Sequence, residues 1–245
     1  MTQERTCALV VIGNEILSGK VRDSNAYFAA RELRALGASL SRIAVVADEV
    51  DAIAQEVAAC ARLFDVVLTS GGVGPTPDDV TMAGVARAFG RRLERHPELE
   101  ERIRRRAHGS PLPASLRMAE VPQGAILNAG GEIGFPTVQV ENVFILPGVP
   151  QLFEAKLRAL SPRLAAAPYF CRTIYLAVSE SLIAPHLDDC LRRFPALMLG
   201  SYPTMGDDAP YRVKLTLESK DQAMMAAAFD YLVELLPAAA IIRTE

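Results

Sequence analysis

A short segment from residue 69, TSGGVGPTPDDVT, combines three glycines, two prolines and two adjacent aspartates between an apolar run and a helix-like run. Gly71, Gly72 and Gly74 can adopt positive φ angles and let backbone N–H groups come close to a ligand. The helix that follows would add its N-terminal amides and the positive end of its dipole. The segment therefore predicts a cradle for phosphate or another anion.

The aspartates Asp78 and Asp79 follow these glycines directly. They are poor neighbours for bare phosphate but suitable ligands for a metal ion bound to it, because Mg²⁺ prefers hard oxygen ligands together with phosphate. Such a metal polarises a phosphoryl oxygen or activates water. The alternative is that one aspartate caps the helix. The adjacent glycines favour a site, and one residue can serve both roles.

Strands and helices alternate over the first ninety residues. The patterns predict, in order, strand 7–12, helix 24–36, strand 40–46, helix 51–63, strand 65–69 and helix 79–89. This order is typical of parallel strands joined by right-handed crossovers, and strands that are apolar on both faces require helices above and below them. We therefore predict an α/β fold, a three-layer α/β/α sandwich with a mostly parallel sheet.

The loops after the first three predicted strands meet at one edge of such a sheet, where ligands bind. They contain GNEILSGKVRDSN, ADEVD and SGGVGPTPDD. The polar residues that they bring to this rim are Glu15, Asp23, Asn25, Asp48, Asp78 and Asp79. Four of these carboxylates form the predicted metal-ligand set: Glu15, Asp23, Asp78 and Asp79.

The sequence changes character after residue 93. Segment 94–113 predicts a helix with glutamates at its start and arginines at its end, which suits the helix dipole. We interpret it as a solvated charged helix, with a lid of arginines over phosphate as the alternative. After a linker at 165–168, the pattern predicts a small C-terminal α+β subdomain with its own sheet. The predicted domains are 1–168 and 169–245.

The overall composition excludes several classes of protein. A net charge of −3 and the absence of Trp argue against a nucleic-acid binder. No apolar run is long enough to span a membrane, and the N-terminal residues do not resemble a signal peptide. The cysteines are far apart in sequence, which predicts free thiols in a cytoplasmic protein: Cys7, Cys60, Cys171 and Cys190.

Other sequence motifs that would indicate a function are incomplete or absent. GNEILSGKV resembles a P-loop, but five residues separate Gly13 from Gly19 and Val21 replaces the Ser or Thr that would hold Mg²⁺. No GxGxxG motif opens the first helix, and no GxSxG motif is present. The three histidines lack metal-ligand spacing: His96, His108 and His186.

Several segments resemble a known family. IGNEILSGKVRDSNAYFAARELRALG is similar to the opening motif of the molybdopterin-binding domain of CinA, a competence/damage-inducible protein. TSGGVGPTPDDVT resembles the signature loop of the superfamily that includes MogA, MoaB and the gephyrin G domain, and ILPGVPQLFE resembles its PGVP segment. MAEVP, LGSYP and YRVKLTLES resemble the molybdopterin-binding-like region of eukaryotic FAD synthase.

The resemblance implies a domain that binds a nucleotide or pterin phosphate at the segment SGGVGPTPDD, residues 70–79, which we call the glycine loop. In MogA-like proteins two aspartates serve adenylyl transfer to molybdopterin, and they correspond to Asp48 and Asp79, the expected catalytic residues. In the CinA and FAD-synthase branch, the domain is associated with metal-dependent hydrolysis of ADP-ribose or FAD. The expected phosphate- or substrate-binding residues are Gly71, Gly72, Gly74, Thr76, Thr81, Asn25 and Arg117.

The chain also departs from the family. Asn14 stands where the family often has the Asp of a GDE motif, and the loop reads GGVG where MogA-like proteins commonly read GGTG. The sequence shows no segment similar to the amidohydrolase domain of CinA or to the FAD-forming domain of FAD synthase, so we do not expect the activities of those domains.

Three functions compete on this basis. The favoured expectation is a hydrolase, a pyrophosphatase that uses a divalent metal (Mg, Mn or Co) on ADP-ribose- or FAD-like substrates. The alternatives are a molybdopterin-binding or adenylyltransferase protein, with molybdopterin as ligand, and a non-catalytic nucleotide-binding module. The expected partners are a small-molecule nucleotide or pterin and, by family analogy, further copies of the chain in a homodimer or homotrimer.

Overall fold

The computed structural model describes residues 4–107, 112–129, 135–206 and 209–245. The chain divides into two compact units, Met1–Ala166 and Ala167–Glu245.

The first unit alternates strands and helices. In chain order these are β1 (Thr6–Ile12), α1 (Asn14–Leu17), α2 (Asn25–Ala35), β2 (Ser39–Val46), α3 (Val50–Leu63), β3 (Val66–Ser70), α4 (Thr81–Ala88), β4 (Leu93–Arg95), α5 (Pro97–Arg106), α6 (Pro113–Leu116), β5 (Glu120–Pro122), β6 (Ile126–Asn128), β7 (Thr137–Val140), β8 (Val143–Leu146) and α7 (Pro150–Leu164).

The main sheet has the strand order β2-β1-β3-β8-β7-β6. Strands β2, β1, β3 and β8 pair in parallel, whereas β7 is antiparallel to both of its neighbours. β4 and β5 pair separately in a two-stranded antiparallel sheet. The prediction of a mostly parallel sheet is confirmed.

Alternate residues of β1 enter two different cores. Ala8, Val10 and Ile12 pack with side chains of α3 and α4, whereas Leu9 and Val11 pack with side chains of α2 and α7. Because successive side chains of a strand point to opposite faces, helices cover both faces of the sheet. The expected three-layer α/β/α arrangement is therefore present.

The charged segment after residue 93 forms α5, as predicted. Leu99 and Ile103 are buried and anchor the helix to the core. Three glutamate–arginine pairs at i,i+4 spacing, 2.6–2.8 Å apart, lie along its exposed surface: Glu98–Arg102, Glu100–Arg104 and Glu101–Arg105. Such exposed pairs contribute only about 0.3–0.5 kcal/mol each, so the buried residues fix the position of the helix.

The second unit is an α+β subdomain. Its elements are β9 (Phe170–Leu176), α8 (Glu180–Arg193), β10 (Met198–Pro203), β11 (Val213–Ser219), α9 (Gln222–Leu235) and β12 (Ile241–Thr244). The strands form one antiparallel sheet in the order β10-β11-β9-β12, which confirms the prediction that YRVKLTLES lies in a sheet of its own. Alternate residues of β11, namely Val213, Leu215 and Leu217, enter the core of this unit.

The segment between β10 and β11 includes residues 207–208, which lie outside the described residues. Within the described ranges, no helix combines the length and apolar character needed to span a lipid bilayer.

Candidate functional site

A cavity of about 740 Å³ opens where β3 and β8 end. Gly71, Gly72 and Gly74 line it together with the carboxylates of Glu15 and Asp79. The apolar part of its lining includes Met82, Ile103, Val138, Ile145 and Leu152. This volume is in the range of small-molecule and cofactor sites, which typically combine apolar walls with a few polar groups.

The glycine loop needs its glycines for packing as well as for ligand access. Gly71 has a φ of 110° and Gly72 a φ of 62°, which are conformations that other residues rarely adopt. A β-carbon on Gly71 would meet the Ile12 carbonyl oxygen, and one on Gly72 would meet Oγ1 of Thr81. Positive φ therefore occurs at two of the three predicted glycines, and Gly74 does not require it.

Thr81 and Thr76 use their hydroxyl groups inside the loop. Thr81 is fully buried; its Oγ1 donates to the Gly71 carbonyl oxygen at 2.9 Å, and its N–H donates to the Gly72 carbonyl oxygen at 3.0 Å. The Oγ1 of Thr76 donates to Oδ2 of Asp79 at 2.5 Å. These bonds hold the loop in shape, and the expected contact of both threonines with a ligand stays a prediction.

Asp79 lines the cavity and also closes the turn before α4. Its Oδ2 accepts the Thr76 N–H at 2.9 Å, while its own N–H donates to the Thr76 carbonyl oxygen at 3.1 Å. Asp78 is exposed at the same turn, where hydrogen bonding, chiefly from Thr76, lowers the pKa of its carboxyl. The N-cap of α4 is Val80, and no side chain caps it. Neither aspartate is therefore the helix cap considered as the alternative.

Asp48 and Asp23 hold backbone groups near the rim. Oδ2 of Asp48 accepts the Asn14 N–H at 2.7 Å, which ties the end of β2 to the start of α1. Oδ1 of Asp23 accepts the N–H groups of Asn25 and Ala26 at 2.9 and 3.1 Å. Neither aspartate is among the residues that line the cavity. Of the two expected catalytic residues, Asp79 therefore lines the cavity, whereas Asp48 binds the backbone at the start of α1.

Asn25 connects three parts of the site. Only 5% of its surface is exposed, and its Nδ2 donates to Oγ of Ser70 at 2.9 Å and to the Gly148 carbonyl oxygen at 2.8 Å. These bonds join α2 to the last residue of β3 and to the loop that follows β8. Asn25 therefore holds the start of the glycine loop against the PGVP segment, and its expected contact with substrate stays a prediction.

Arg117 and Thr76 line a smaller cavity of about 120 Å³, which shares Gly72, Gly74 and Asp79 with the larger one. Arg117 is exposed in the turn after α6. Its position is compatible with the expected contact to a phosphorylated ligand.

The predicted metal-ligand set does not come together. Among the residues that the structure describes, no group of three or more His, Cys, Asp or Glu side chains is placed to share a metal ion. Asp23 accepts hydrogen bonds from the backbone of α2, and Asp78 is not among the residues that line the cavity. Glu15 and Asp79 could hold a divalent metal only together with oxygens from a ligand phosphate and water. A divalent metal therefore stays a prediction.

The two histidines that the structure describes, His96 and His186, belong to no metal-ligating group. His96 precedes α5 as its N-cap residue, and its Nδ1 is buried without a hydrogen-bond partner among the described residues. His186 lies on α8 in the second unit. His108 lies outside the described residues.

Lys156 is a cavity residue that the sequence reasoning missed. It lies on α7 with 6% of its surface exposed, and its Nζ donates to the carbonyl oxygens of Phe135 at 2.7 Å and Pro136 at 3.1 Å. Burial lowers its pKa from 10.5 to about 8. The signal was present, because a lysine on the same helical face as Phe153 and Leu157 is unusual.

Arg106 gives partial support to the alternative interpretation of the charged helix. Unlike Arg104 and Arg105, which pair with glutamates on α5, it lines the cavity. Its guanidinium carbon lies 5.9 Å from the centre of the Phe135 ring. One arginine of the predicted group thus reaches the site.

Comparisons with protein families divide the chain in two. Residues 8–166 match the family described as "Probable molybdopterin binding domain", and residues 168–245 match "FAD synthase, middle domain". A solved structure of "the protein CinA with unknown function" from Thermoplasma acidophilum matches 66% of this chain and 98% of its own, with 31% identity and a TM-score of 0.61. These matches confirm the predicted resemblance.

Relatives cover nearly the whole chain. A "Probable FAD synthase" of Caenorhabditis briggsae is 34% identical over 96% of this chain, and that of Caenorhabditis elegans is 33% identical over 96%. An Archaeoglobus fulgidus protein is 31% identical over 93% of this chain and 96% of its own length. The chain spans about half the length of the two Caenorhabditis relatives.

The names of the two Caenorhabditis relatives contradict the expected hydrolase. Both are named probable FAD synthases, and FAD synthases are transferases, specifically adenylyltransferases. A loop that binds phosphate would serve a transferase as well as a hydrolase, because both act on a phosphoryl group beside an adenosine. The motif therefore could not distinguish the two classes of reaction, and the phosphate ligand stays a prediction.

Proposed function

We propose that this chain, which belongs to the family of probable molybdopterin-binding domains, binds a flavin or adenine nucleotide in the cavity of its first unit. The observation that carries the proposal is the glycine loop, which lines a cavity of about 740 Å³ at the end of β3. The loop would bind the phosphate, and the apolar walls would hold the attached ring system.

The backbone of the loop supports this assignment. The N–H groups of Gly72, Val73 and Gly74 have no acceptor among the described residues, whereas the Gly71 N–H donates to the Leu146 carbonyl oxygen at 3.2 Å. Unpaired N–H groups beside the start of a helix are suited to an anion. Three donors are thus available at the cavity.

The relatives support a flavin or adenine nucleotide as the ligand. Both parts of the chain match proteins associated with flavin nucleotides by name, since the second unit matches the FAD synthase middle domain and two relatives are named FAD synthase. FAD and ADP are therefore suitable probes, because they share the adenosine diphosphate group and differ in the flavin. A divalent metal bound by Asp79 and the phosphate would neutralise charge at the loop.

A pterin phosphate, such as molybdopterin, is the second candidate ligand. The description of the family that matches residues 8–166 favours it. It would use the same loop and the same apolar walls, because it too joins a phosphate to a flat ring.

Calorimetric titration with FAD and ADP tests the proposal. We expect wild type to bind, and Gly72→Ala to lose at least about tenfold in affinity because its β-carbon would displace the loop. Gly90→Ala is a matched control: Gly90 also has a φ of 62°, but no atom lies within 4 Å of its β-carbon position. The control should share the backbone strain of about 1 kcal/mol and keep full affinity.

Unchanged affinity in Gly72→Ala would show that the ligand does not bind at the loop. Wild-type protein that binds neither FAD nor ADP, with or without Mg²⁺, would overturn the proposal. If only a pterin phosphate binds, the second candidate is correct.

A further inference from the structure

Lys156 is a buried cation whose hydrogen-bond partners are all neutral. Its Nζ donates to the carbonyl oxygens of Phe135 and Pro136 at 2.7 and 3.1 Å and approaches Oγ1 of Thr137 at 3.4 Å. No carboxylate pairs with it among the residues that the structure describes. Burying a charge without a counterion is unfavourable, so such residues normally have a partner.

Because Lys156 lines the cavity, a ligand bound there can supply the negative charge that the described residues do not. Lys156 lines it beside Val138 and Leu152, which offer no compensating charge. The charged residues that line the same cavity are Arg106 from α5, Glu15 from α1 and Asp79 from the loop before α4. Glu15 and Asp79 line the cavity together with the glycine loop. The guanidinium of Arg106 lies over the ring of Phe135. The carbonyl oxygen of Phe135 accepts a hydrogen bond from Lys156.

A purely structural role would not require a charge. The bonds to Phe135 and Pro136 hold the segment before β7, and a neutral donor such as glutamine could make them. An ammonium group costs more to bury than an amide. The charge is explained if it binds part of the ligand.

We propose that Lys156 binds an electron-rich oxygen of the ligand at a second subsite, separate from the glycine loop, and that ligand binding is coupled to proton uptake by this lysine. This inference rests on the proposed function. The oxygen has two possible sources in a flavin nucleotide, a phosphate or a carbonyl of the flavin ring. Both accept a hydrogen bond from an ammonium group, but only the phosphate carries the negative charge of a counterion, so the phosphate is the source that we favour.

The coupling has a definite sign. In the free protein the pKa of Lys156 is about 8, so about half of the molecules carry a neutral amine at pH 8. A bound oxygen with negative charge favours the ammonium form and raises the pKa. Binding at pH 8 therefore takes up part of a proton, and affinity should fall about tenfold between pH 7 and pH 9 as the free lysine loses its proton.

Calorimetric titration of wild type with FAD at pH 8, in HEPES and in Tris, measures this proton uptake directly. The observed enthalpy should differ between the buffers, because each releases a proton with a different enthalpy. Lys156→Met should bind FAD at least about tenfold more weakly at pH 7 and should lose both the buffer effect and the fall in affinity toward pH 9. Lys214→Met, a lysine of the second unit, should behave as wild type.

ADP and riboflavin identify the source of the oxygen. ADP has phosphates without a ring carbonyl, and riboflavin has ring carbonyls without phosphate. Proton uptake with ADP alone assigns a phosphate oxygen to Lys156, and uptake with riboflavin alone assigns a ring oxygen.

Equal enthalpies in the two buffers, together with the same pH profile in wild type and Lys156→Met, would overturn the inference and leave the proposed function intact. Failure of FAD and ADP to bind wild type would overturn both. If Lys156→Met does not fold, Lys156→Gln keeps a neutral donor, and the two-buffer result on wild type still decides.

Discussion

Asp79 belongs to the loop and to the cavity at once. Its Oδ2 accepts two hydrogen bonds from Thr76, and the carboxylate lies 2.6 Å from the position of a β-carbon on Gly74. A carboxylate so close to unpaired backbone N–H groups competes with phosphate unless a metal joins the two. The role of Asp79 can therefore be measured through the effect of Mg²⁺ on binding.

We predict that Asp79→Asn changes stability by less than about 1 kcal/mol, because the amide oxygen still accepts a bond from Thr76. Affinity for ADP without metal should stay the same or increase, since a repulsive charge is removed, and any gain from Mg²⁺ should disappear. Melting curves and titrations with and without Mg²⁺ check this. Asp78→Asn, at an exposed position, is the control, and a full Mg²⁺ effect in Asp79→Asn would exclude Asp79 as a metal ligand.

Lys156 should also affect how stability depends on pH. Its pKa is about 8 in the folded protein and 10.5 in an ordinary lysine, so unfolding takes up a proton between these values. The free energy of unfolding of wild type should therefore rise relative to Lys156→Met as pH increases from about 8 to about 10.5, and the penalty of burial is fully present below pH 8. Urea unfolding across this range measures the difference. Parallel profiles for the two proteins would contradict it.

Some of the individual site residues could be predicted from the sequence. Glycines at positive φ follow from steric limits on other residues, and Asp79 follows from its place after a strand. The role of Asn25 depends on the backbone carbonyl of Gly148, which is far away in the sequence, so spacing along the chain could not reveal it. Thr76 and Thr81 bond within the loop itself, to Asp79 and Gly71, and these bonds depend on the exact path of the backbone. Lys156 was not predicted, because helical periodicity identifies an apolar face but assigns no role to a lysine that lies on it.

At the scale of elements, α4 and the glycine loop are joined through one buried hydroxyl. Thr81, the first residue of α4, donates to the Gly71 carbonyl oxygen at 2.9 Å. The loop and the start of the helix should therefore lose stability together if this bond is removed.

We expect Thr81→Val to lower the free energy of unfolding by about 1–3 kcal/mol, because it leaves the buried Gly71 carbonyl without its donor while keeping the side-chain volume. Thr81→Ser keeps the hydroxyl and should cost less than Val if the bond matters more than the lost methyl group. Urea unfolding of the three proteins gives the order. A Val variant as stable as wild type would show that the hydroxyl does not hold the loop.

The elements themselves were largely predictable. Buried strands such as β1 and β3 are short apolar runs, and the helices between them show clear periodicity. The four-residue helix α1 was not predicted, because a single turn has too few residues for a pattern. Helix α4 starts at Thr81, two residues later than expected, because Asp79 and Thr76 form a turn instead.

For the whole molecule, burial should determine which thiols react. All four cysteines are free, and Cys171 alone among them is exposed. Burial raises the pKa of Cys7 to about 11 and of Cys60 to about 12, and it also raises the pKa of Cys190. A thiolate is the reactive form, so these three thiols should be inert near neutral pH.

A thiol reagent at pH 8 should therefore label one cysteine rapidly in the folded protein and all four in urea. Cys171→Ser should remove the rapid reaction. Rapid labelling of a second thiol in the folded protein would show that a core of one unit opens readily.

Assembly stays a prediction at this scale. The expected homodimer or homotrimer came from family analogy, and sedimentation velocity would measure it. The division into an α/β/α unit and an α+β unit was predictable, because the order of strands and helices changes along the chain. The class of reaction could not be predicted, because the same glycine loop suits both transfer and hydrolysis.

The central claim is that the glycine loop binds the phosphate of a nucleotide. A crystal structure of the protein with ADP tests it most directly. We predict phosphate oxygens within about 2.7–3.2 Å of the N–H groups of Gly72 or Gly74. The main competing location is a polar cavity of about 440 Å³ near the start of β1 and β3, lined by Arg5, Asp65 and Arg163 among others. Phosphate bound there, with the glycine loop free of ligand, would contradict the account.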